Sequence, residues 1–270
     1  MRHLLSDLLP PALMRIYRNL TVEAGYFGDY PIWADAASAS VGYDSELILN
    51  KVKEALLKVK SGEAVYERDS VLFDDIEYSW PLLAGLLWAA SLNGNRLDLV
   101  DFGGSLGSSY YQNRRFLEYL QELRWNVVEQ ERFVECGRRY FEDDRLRFYR
   151  DIDECLKGRK PGTILLSSVL QYLEKPYELL AKVLEFRFEV VIVDRTPFLG
   201  EGDDRITVQK VPPEIYDASY PAWFFNLERF LSFFSAGYEL MADFETADRS
   251  NIPSTYKGFI FRLRQDEALA

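Results

Sequence analysis

The chain has 270 residues, 32 of them Lys or Arg and 43 Asp or Glu, for a formal charge of -11. At 48% apolar and 15% aromatic it can bury a large core, so it is no disordered acidic chain, and its acid excess disfavours a nucleic-acid surface, which needs clustered Lys and Arg. The one histidine, His3, stands near the terminus, which excludes mechanisms needing an internal histidine and any His-rich metal site, and two cysteines cannot make a disulfide-rich scaffold.

The first twenty residues are amphipathic but lack the uninterrupted apolar stretch and small-residue cleavage site of a signal peptide. They read as a surface that docks on the parent domain or on a partner, a second copy of the chain included, with a peripheral membrane role as the alternative. From Tyr43 to Lys60, Leu47, Ile48, Val52, Leu56 and Val59 recur at helical spacing, and Gly62 ends the helix. The charged, aromatic EAVYERDSVLFDDIEY that follows has no clean period and reads as a lid or ordered loop. Trp80 to Leu92 is a buried helix, too short for the roughly 20 residues of a membrane span. No strand ladder is expected before Arg96, so residues 1–95 read as a helical cap, and the compartment as cytoplasmic.

From Arg96 the pattern alternates. Short apolar runs at Leu97–Phe102, Trp125–Glu129, Leu146–Tyr149, Thr163–Leu166 and Glu189–Asp194 read as strands. A long helix to about Leu123, then Phe133–Tyr140 and Tyr177–Phe186, read as the helices between them. Such alternation means a largely parallel sheet with helices on both faces, here over residues 96–270. A helix at Leu227–Ser235 and strands at Tyr238–Phe244 and Lys257–Leu263 follow. The stretch Phe198–Trp223 reads as a long ordered flap, with Tyr216, Tyr220 and Trp223 available to stack on a ligand.

The sharpest local signal is VDFGGSLGSS, between a strand and a helix, the context of a nucleotide-binding turn. Gly103 and Gly104 can adopt backbone angles closed to other residues, and Gly107 allows close approach. Asp101 ends the strand. The spacing is neither GxGxxG, since Ser105 holds the middle position, nor a P-loop, since no Lys follows. Glu129 ends the next strand, where a carboxylate can accept both ribose hydroxyls of an adenosine. Asp151, with Ile152, follows the third strand and is placed for an adenine edge. Adjacent acids at Asp74–Asp75 and Asp143–Asp144 read as solvated turns, and no metal site is expected.

Together DFGGSLG, VVEQE, FYRDIDE, TILLSSVLQYLEKPYELLAKVL, EVVIVDRTP and the closing NLERFLSFFSAGYELMADFE and YKGFIFRL resemble the class I S-adenosylmethionine-dependent methyltransferases over residues 97–263. The segment GYFGDYPIWADAASASVGYDSELILNKVKEALLKVKSGEAVYERDSVLF resembles a small bacterial methyltransferase-like family associated with surface-polysaccharide gene neighbourhoods. The resemblance implies a Rossmann-like fold, a mostly parallel seven-stranded sheet with an antiparallel C-terminal strand, and S-adenosyl-L-methionine as cofactor. It implies a turn of Asp101, Gly103, Gly104, Ser105 and Gly107 around the methionine part, Glu129 on the ribose, and Asp151 with Ile152 on the adenine. Ser168 and Gln171 would then face the transfer site, Gln171 through its orienting amide.

With no internal histidine, an oxygen acceptor needs an Asp, Glu, Tyr or Lys base, or must arrive already ionised. Asp194 ends the fifth strand at the ligand-binding edge, and Arg195 beside it can fork onto a carboxylate or phosphate. Tyr66, Glu67, Arg68 and Asp69 precede the sheet and are placed to fold over the pocket, with Tyr66 and Arg68 the preferred pair. The expected partner is a small-molecule acceptor, anionic or sugar-linked, with a homodimer as one arrangement. The alternatives are a nicotinamide-dependent oxidoreductase and a noncatalytic nucleotide-binding or assembly protein with a degenerate fold.

Overall fold

A computed structural model of the protein describes residues 24–41, 45–68, 70–212 and 218–265; His3, the N-terminal amphipathic segment, Asp69 and Tyr216 lie outside them. The chain begins with β1 (Gly25–Tyr30), α1 (Trp33–Ser38) and α2 (Ser45–Ser61), then the hairpin of β2 (Tyr66–Arg68) and β3 (Val71–Phe73), and α3 (Trp80–Leu92). On α2 the helical periodicity holds: Ile48, Val52, Leu56 and Val59 are buried, while Leu47 stays outside. On α3 Leu82, Leu83, Leu86, Ala89 and Ala90 are buried, as its all-round apolar sequence requires. Among the described residues no helix is long and apolar enough to cross a membrane.

The expectation of no strands before Arg96 fails at two places. β1 carries glycines at positions 25 and 28, both at positive φ, and slips register between Phe27 and Tyr30. The slip breaks the period-2 alternation that announces a strand. The β2–β3 hairpin pairs only Tyr66 with Phe73, Glu67 with Leu72 and Arg68 with Val71, too short to show a period. β1 pairs with β9 below, so the segment before Arg96 belongs to the main sheet as well as covering it.

The alternating part runs β4 (Arg96–Phe102), α4 (Ser108–Leu117), β5 (Glu122–Val128), α5 (Glu131–Tyr140), β6 (Leu146–Tyr149), α6 (Ile152–Cys155), β7 (Thr163–Ser167), α7 (Pro176–Glu185) and β8 (Val190–Leu199). It closes with β9 (Arg205–Lys210), β10 (Ser219–Asn226), α8 (Leu227–Ser232), β11 (Tyr238–Glu245) and β12 (Ser254–Leu263). α4 stops at Leu117, not near Leu123, because β5 pairs with β4 from Glu122 onward. The expected flap over Phe198–Trp223 is instead the end of β8, all of β9 and much of β10. β9 and β10 pair antiparallel from Ser219–Lys210 to Phe224–Arg205.

Five strands lie parallel in the order β6-β5-β4-β7-β8, and β12 follows antiparallel to β8, with β11 outside it. This is the expected Rossmann-like methyltransferase order, with a reversed strand near one edge. Ten strands join the sheet among the described residues, three more than expected. The extra layer β1-β9-β10 attaches where β7 ends: Phe225 and Asn226 of β10 pair with Phe198 and Leu199 at the tip of β8. The continuous apolar runs of β7 and β8 are buried on both faces. One face carries α2 to α5, with Trp125, Phe141 and Phe148 among its core. The other carries α6 to α8, with Phe188, Phe230 and Phe234.

α5 sits on β6 without a side chain at position 137: a Cβ on Gly137 would lie 2.4 Å from the Phe148 ring. Alanine favours an exposed helix by about 1 kcal/mol over glycine, yet overpacking a fixed contact costs about 1–3 kcal/mol. Gly137→Ala is therefore expected to lower the urea midpoint. A midpoint equal to or above that of the parent would show this helix–sheet contact to be slack.

Candidate active site

A cleft of about 1460 Å³ opens over the carboxyl ends of the parallel strands. It lies across the switch point between β4 and β7, where strand order reverses and open α/β sheets bind ligands. The β2–β3 hairpin and the start of α3 wall one side, and β1, β9 and residues 245–251 after β11 wall another.

The turn after β4 is held tightly from within. Gly103 takes φ +73° and donates its N–H to the Val128 carbonyl at 2.9 Å. A Cβ there would come within 2.3 Å of Val169, so the position needs glycine for space as well as angle. At Gly104 a Cβ would strike the Asp101 carboxyl at 2.4 Å. Ser105 takes φ +56°, a left-handed angle that a side chain disfavours, so the departure from glycine noticed in the sequence is a point of strain. Gly107 takes φ +96° at the start of α4 but faces Leu146 and does not line the cleft. Its role is helix–strand packing in place of the expected cofactor contact.

Asp101 lies under this turn, buried, and accepts a 2.8 Å bond from the Trp125 indole. Burial pushes its carboxyl up to about 7, with Glu129 adding to the rise and the Trp125 bond opposing it. Glu129, at the tip of β5, lines the same cleft; burial raises it too, against the backbone N–H groups of Gln130 and Ser105. The Gln130 N–H lies 2.7 Å from Oε2. Asp151 does not join this group: it caps α6, accepting from the Glu154 N–H at 2.6 Å, and stays exposed. Ile152 is buried in the core of the α6–α8 face. Neither lines the cleft, which the neighbouring Arg150 does. An acid after a strand suits a helix cap as well as a ligand, and here capping uses it.

β8 carries a bulge at the cleft. Between the Val193–Phe259 and Thr196–Lys257 pairs, Asp194 and Arg195 stand opposite the single residue Gly258. Arg195 takes φ +52°, and the extra residue brings both side chains to the cleft in succession. Asp194 is 1% exposed; its Oδ2 accepts from the Ser167 hydroxyl at 2.9 Å, and its Oδ1 has no hydrogen-bond partner among the described residues. Burial pushes this carboxyl up to about 6, moderated by Arg195 and Ser167. The expected anion fork of Arg195 is directed inward instead. Its Nε and Nη2 reach Asp248 at 3.0–3.2 Å, so a carboxylate already answers that guanidinium.

Ser168 lines the cleft and its N–H donates to the Asp194 carbonyl. Gln171 does not line it. Buried beneath, it donates to Ser168 Oγ at 3.1 Å and to the Arg195 carbonyl at 3.2 Å, bracing the bulge where a pocket contact was expected. Tyr66 and Arg68 both line the cleft from β2. The Tyr66 hydroxyl accepts from Gln112, and Arg68 pairs with Glu77 at 3.1 Å. Trp223 points elsewhere, donating to the Leu173 carbonyl and stacking with Trp33, whereas Tyr220 lines the cleft edge-on to Tyr172.

Glu67 lines the cleft as the lid segment led one to expect, whereas several other cleft residues escaped the sequence reading. Glu67, 2% exposed, accepts from the Ser70 N–H and the Ser108 hydroxyl, tying the hairpin to the start of α4. Asp248 anchors Arg195, and Tyr26, Tyr172 and Tyr256 converge from β1, the turn after β7 and β12. Only Glu67 had a local signal, as a carboxylate beside the expected lid pair.

No protein-family model matches the sequence, and no curated protein matches it. Solved structures do resemble it. One is the Burkholderia thailandensis 1,6-didemethyltoxoflavin-N1-methyltransferase with bound 1,6-didemethyltoxoflavin and S-adenosylhomocysteine, at 15% identity and a TM-score of 0.45, covering 83% of this chain and 92% of that one. Another is the N-terminal domain of EvdMO1 in the presence of SAH and D-fucose, at 13% identity and 0.48, covering 82% and 98%. A third is the glycopeptide N-methyltransferase MtfA complexed with sinefungin, at 11% identity and 0.47, covering 67% and 94%.

Proposed function

We propose that the protein is an S-adenosylmethionine-dependent methyltransferase acting on a small molecule, with a saccharide or nucleotide-sugar as acceptor. The observation that carries this reading is the placement of Glu129 just past the end of β5, in one cleft with the 103–105 turn, left-handed at Gly103 and Ser105, within a sheet that carries the reversed β12. The donor set suits the cofactor. A half-buried carboxylate accepts the two hydroxyls of a ribose, and the turn, packed tight against Val169 and Asp101 by its two glycines, lines the same cleft with its backbone. Small-ligand pockets run to roughly 1,000 Å³, so a cleft of about 1460 Å³ has room for a nucleoside cofactor and a second molecule. A nicotinamide dinucleotide suits it less, because the turn lacks the GxGxxG spacing.

On this reading Glu129 holds the ribose, the 103–105 turn holds the methionine part, and Asp101 supports the turn from beneath. The cofactor, when bound, supplies a methyl already activated on a sulfonium, so that the acceptor lone pair bonds to carbon as the carbon–sulfur bond breaks. Asp194 is the base. Ser167 fixes its Oδ2, leaving Oδ1 to accept the acceptor's hydroxyl proton. Ser168 lies on the same edge, and Gln171 holds the bulge that aims Asp194. Tyr66 and Arg68 close the other wall and exclude water. No step calls on histidine.

Binding of S-adenosylhomocysteine against NAD, by calorimetry, tests the reading as a whole: saturable NAD binding without S-adenosylhomocysteine binding would overturn it. Glu129→Gln is expected to weaken S-adenosylhomocysteine by about tenfold or more, as loss of a charge-assisted pair of bonds does, with the melting temperature little changed. Unchanged affinity would remove Glu129 from the ribose. Asp194 gives a pH test. Its raised carboxyl gains a proton as pH falls through about 6, so turnover is expected to drop on the acid side and level off above. Asp194→Asn is expected to lose about 10²- to 10⁴-fold in kcat, to abolish that acid limb and to keep cofactor affinity. An acid limb that persists in the variant would assign the base elsewhere.

A further inference from the structure

The acceptor half of the cleft is lined by phenols and by cations that the protein itself has already answered. Tyr26 and Tyr256 hydroxyls lie 3.0 Å apart and share a hydrogen bond, and Tyr172 lines the same wall. These three rings come from β1, β12 and the turn after β7, and all line the cleft. Tyr220 sets its ring edge-on to Tyr172 at 5.4 Å, adding an apolar face. The wall is pinned rather than loose: Asn251 accepts from the Tyr26 N–H at 2.7 Å and donates to the Tyr26 carbonyl at 2.8 Å. Burial raises both the Tyr26 and Tyr256 hydroxyls, so they stay protonated and act as neutral donors and acceptors.

The charges nearby tell against an anion. Arg195 is forked on Asp248, which also accepts from Thr246, and Arg68 is paired with Glu77. Arg249 directs Nη1 to the carbonyls of Thr246 and Asp248. Lys210, over the Phe27 ring, is exposed at the rim. A phosphate or carboxylate placed deep in this half would meet the Asp194 and Asp248 carboxyls. It would have to take Arg195 from its partner, and breaking such a pair leaves a poorly solvated charge behind. An uncharged molecule with several hydroxyls meets no such penalty. Its hydroxyls can join the phenol pair, each as donor and acceptor, while its C–H surface lies on the rings.

We infer that the acceptor is an uncharged, polyhydroxylated small molecule, bound through the hydrogen-bonded Tyr26 and Tyr256 hydroxyls with Tyr172 on the same wall, the Arg195–Asp248 pair serving to hold the β8 bulge instead of an acceptor anion. This rests on the methyltransferase reading and narrows its substrate class to neutral compounds, against nucleotide- or phosphate-linked ones.

The test uses the full chain saturated with S-adenosylhomocysteine. Neutral methyl glycosides of hexoses and 6-deoxyhexoses are titrated beside the matching hexose 1-phosphates, uronic acids and nucleoside diphosphate sugars. At least one neutral glycoside is expected to bind about tenfold or more tighter than its charged counterpart. Tyr26→Phe, which keeps the ring and removes the hydroxyl, is expected to weaken that glycoside about fivefold, with S-adenosylhomocysteine affinity and melting temperature unchanged. Tyr256→Phe makes the same comparison if the first variant melts early. Preference for the phosphate, uronate or nucleotide sugar, binding of none of the panel, or wild-type glycoside affinity in both Phe variants overturns the inference. The methyltransferase reading falls separately, if the wild-type chain fails to bind S-adenosylhomocysteine.

Discussion

The cleft depends on one backbone irregularity, the extra residue in β8 at Asp194–Arg195. A regular strand would alternate these side chains across the sheet, and one of the two would point away from the cleft. The bulge needs a left-handed residue, for which glycine is the ordinary choice. Arginine accepts a conformational penalty of roughly 1–2 kcal/mol there, and three contacts offset it: the fork onto Asp248, the Gln171 bond to the Arg195 carbonyl, and the Ser168 N–H bond to the Asp194 carbonyl. Glycine would relax the backbone but lose the fork, and with it the tie between the sheet and the loop after β11. The bulge also falls where β7 ends and the β1-β9-β10 layer takes over, so the fold changes neighbours at the residue that faces the cleft.

Around that point the protein gathers carboxyls instead of histidine. Asp101, Glu129 and Asp194 line one cleft, and burial raises all three. Asp248, less deeply buried, moves the other way: burial would raise it, but Arg195 and the Thr246 hydroxyl outweigh that and hold it low. The difference divides the labour. Asp248 is a fixed anion that neutralises Arg195, whereas Asp194, bonded by Ser167 on Oδ2 and short of a partner on Oδ1 among the described residues, can change protonation near neutral pH. Asp101, held up to about 7 beneath the turn, is better suited to support the Trp125 contact than to meet a ligand as a full charge. The overall charge of -11 therefore overstates how anionic the cleft is.

The parallel core was legible because its physics is local. Ile164 to Leu166 and Val190 to Val193 are apolar without alternation because both sheet faces are covered; the acids at 101 and 129 stand at the ends of β4 and β5, whereas Asp194 falls at a bulge within β8, which runs on to Leu199. What failed to show was either too short or too irregular for periodicity: the three-residue β2 and β3, the glycine-interrupted β1, and β9, whose RITVQK was absorbed into an apparent loop. Asp151 failed for another reason. An aspartate between a strand and a helix has two uses with one sequence signature, and only the bond to the Glu154 N–H separates them. Gln171 was read by its amide chemistry rather than its depth, which nothing in LQYLEK reveals.

The tyrosine wall was illegible because it is assembled from opposite ends of the chain. Tyr26 and Tyr256 are 230 positions apart, and the Asn251 bonds that pin Tyr26 span 225. No window on the sequence contains both partners. The turn, Glu129 and the first parallel strands lie within some thirty residues and can form from near neighbours. The tyrosine wall requires β1 to find β9 and the 245–256 region to meet both. Contacts of such separation carry the larger loop-closure penalty and form late in folding. The two halves of the cleft thus differ in kind. One is a local motif written in a single stretch, and the other exists only when the sheet is complete, which places the tyrosine wall where sequence patterns are least able to report it.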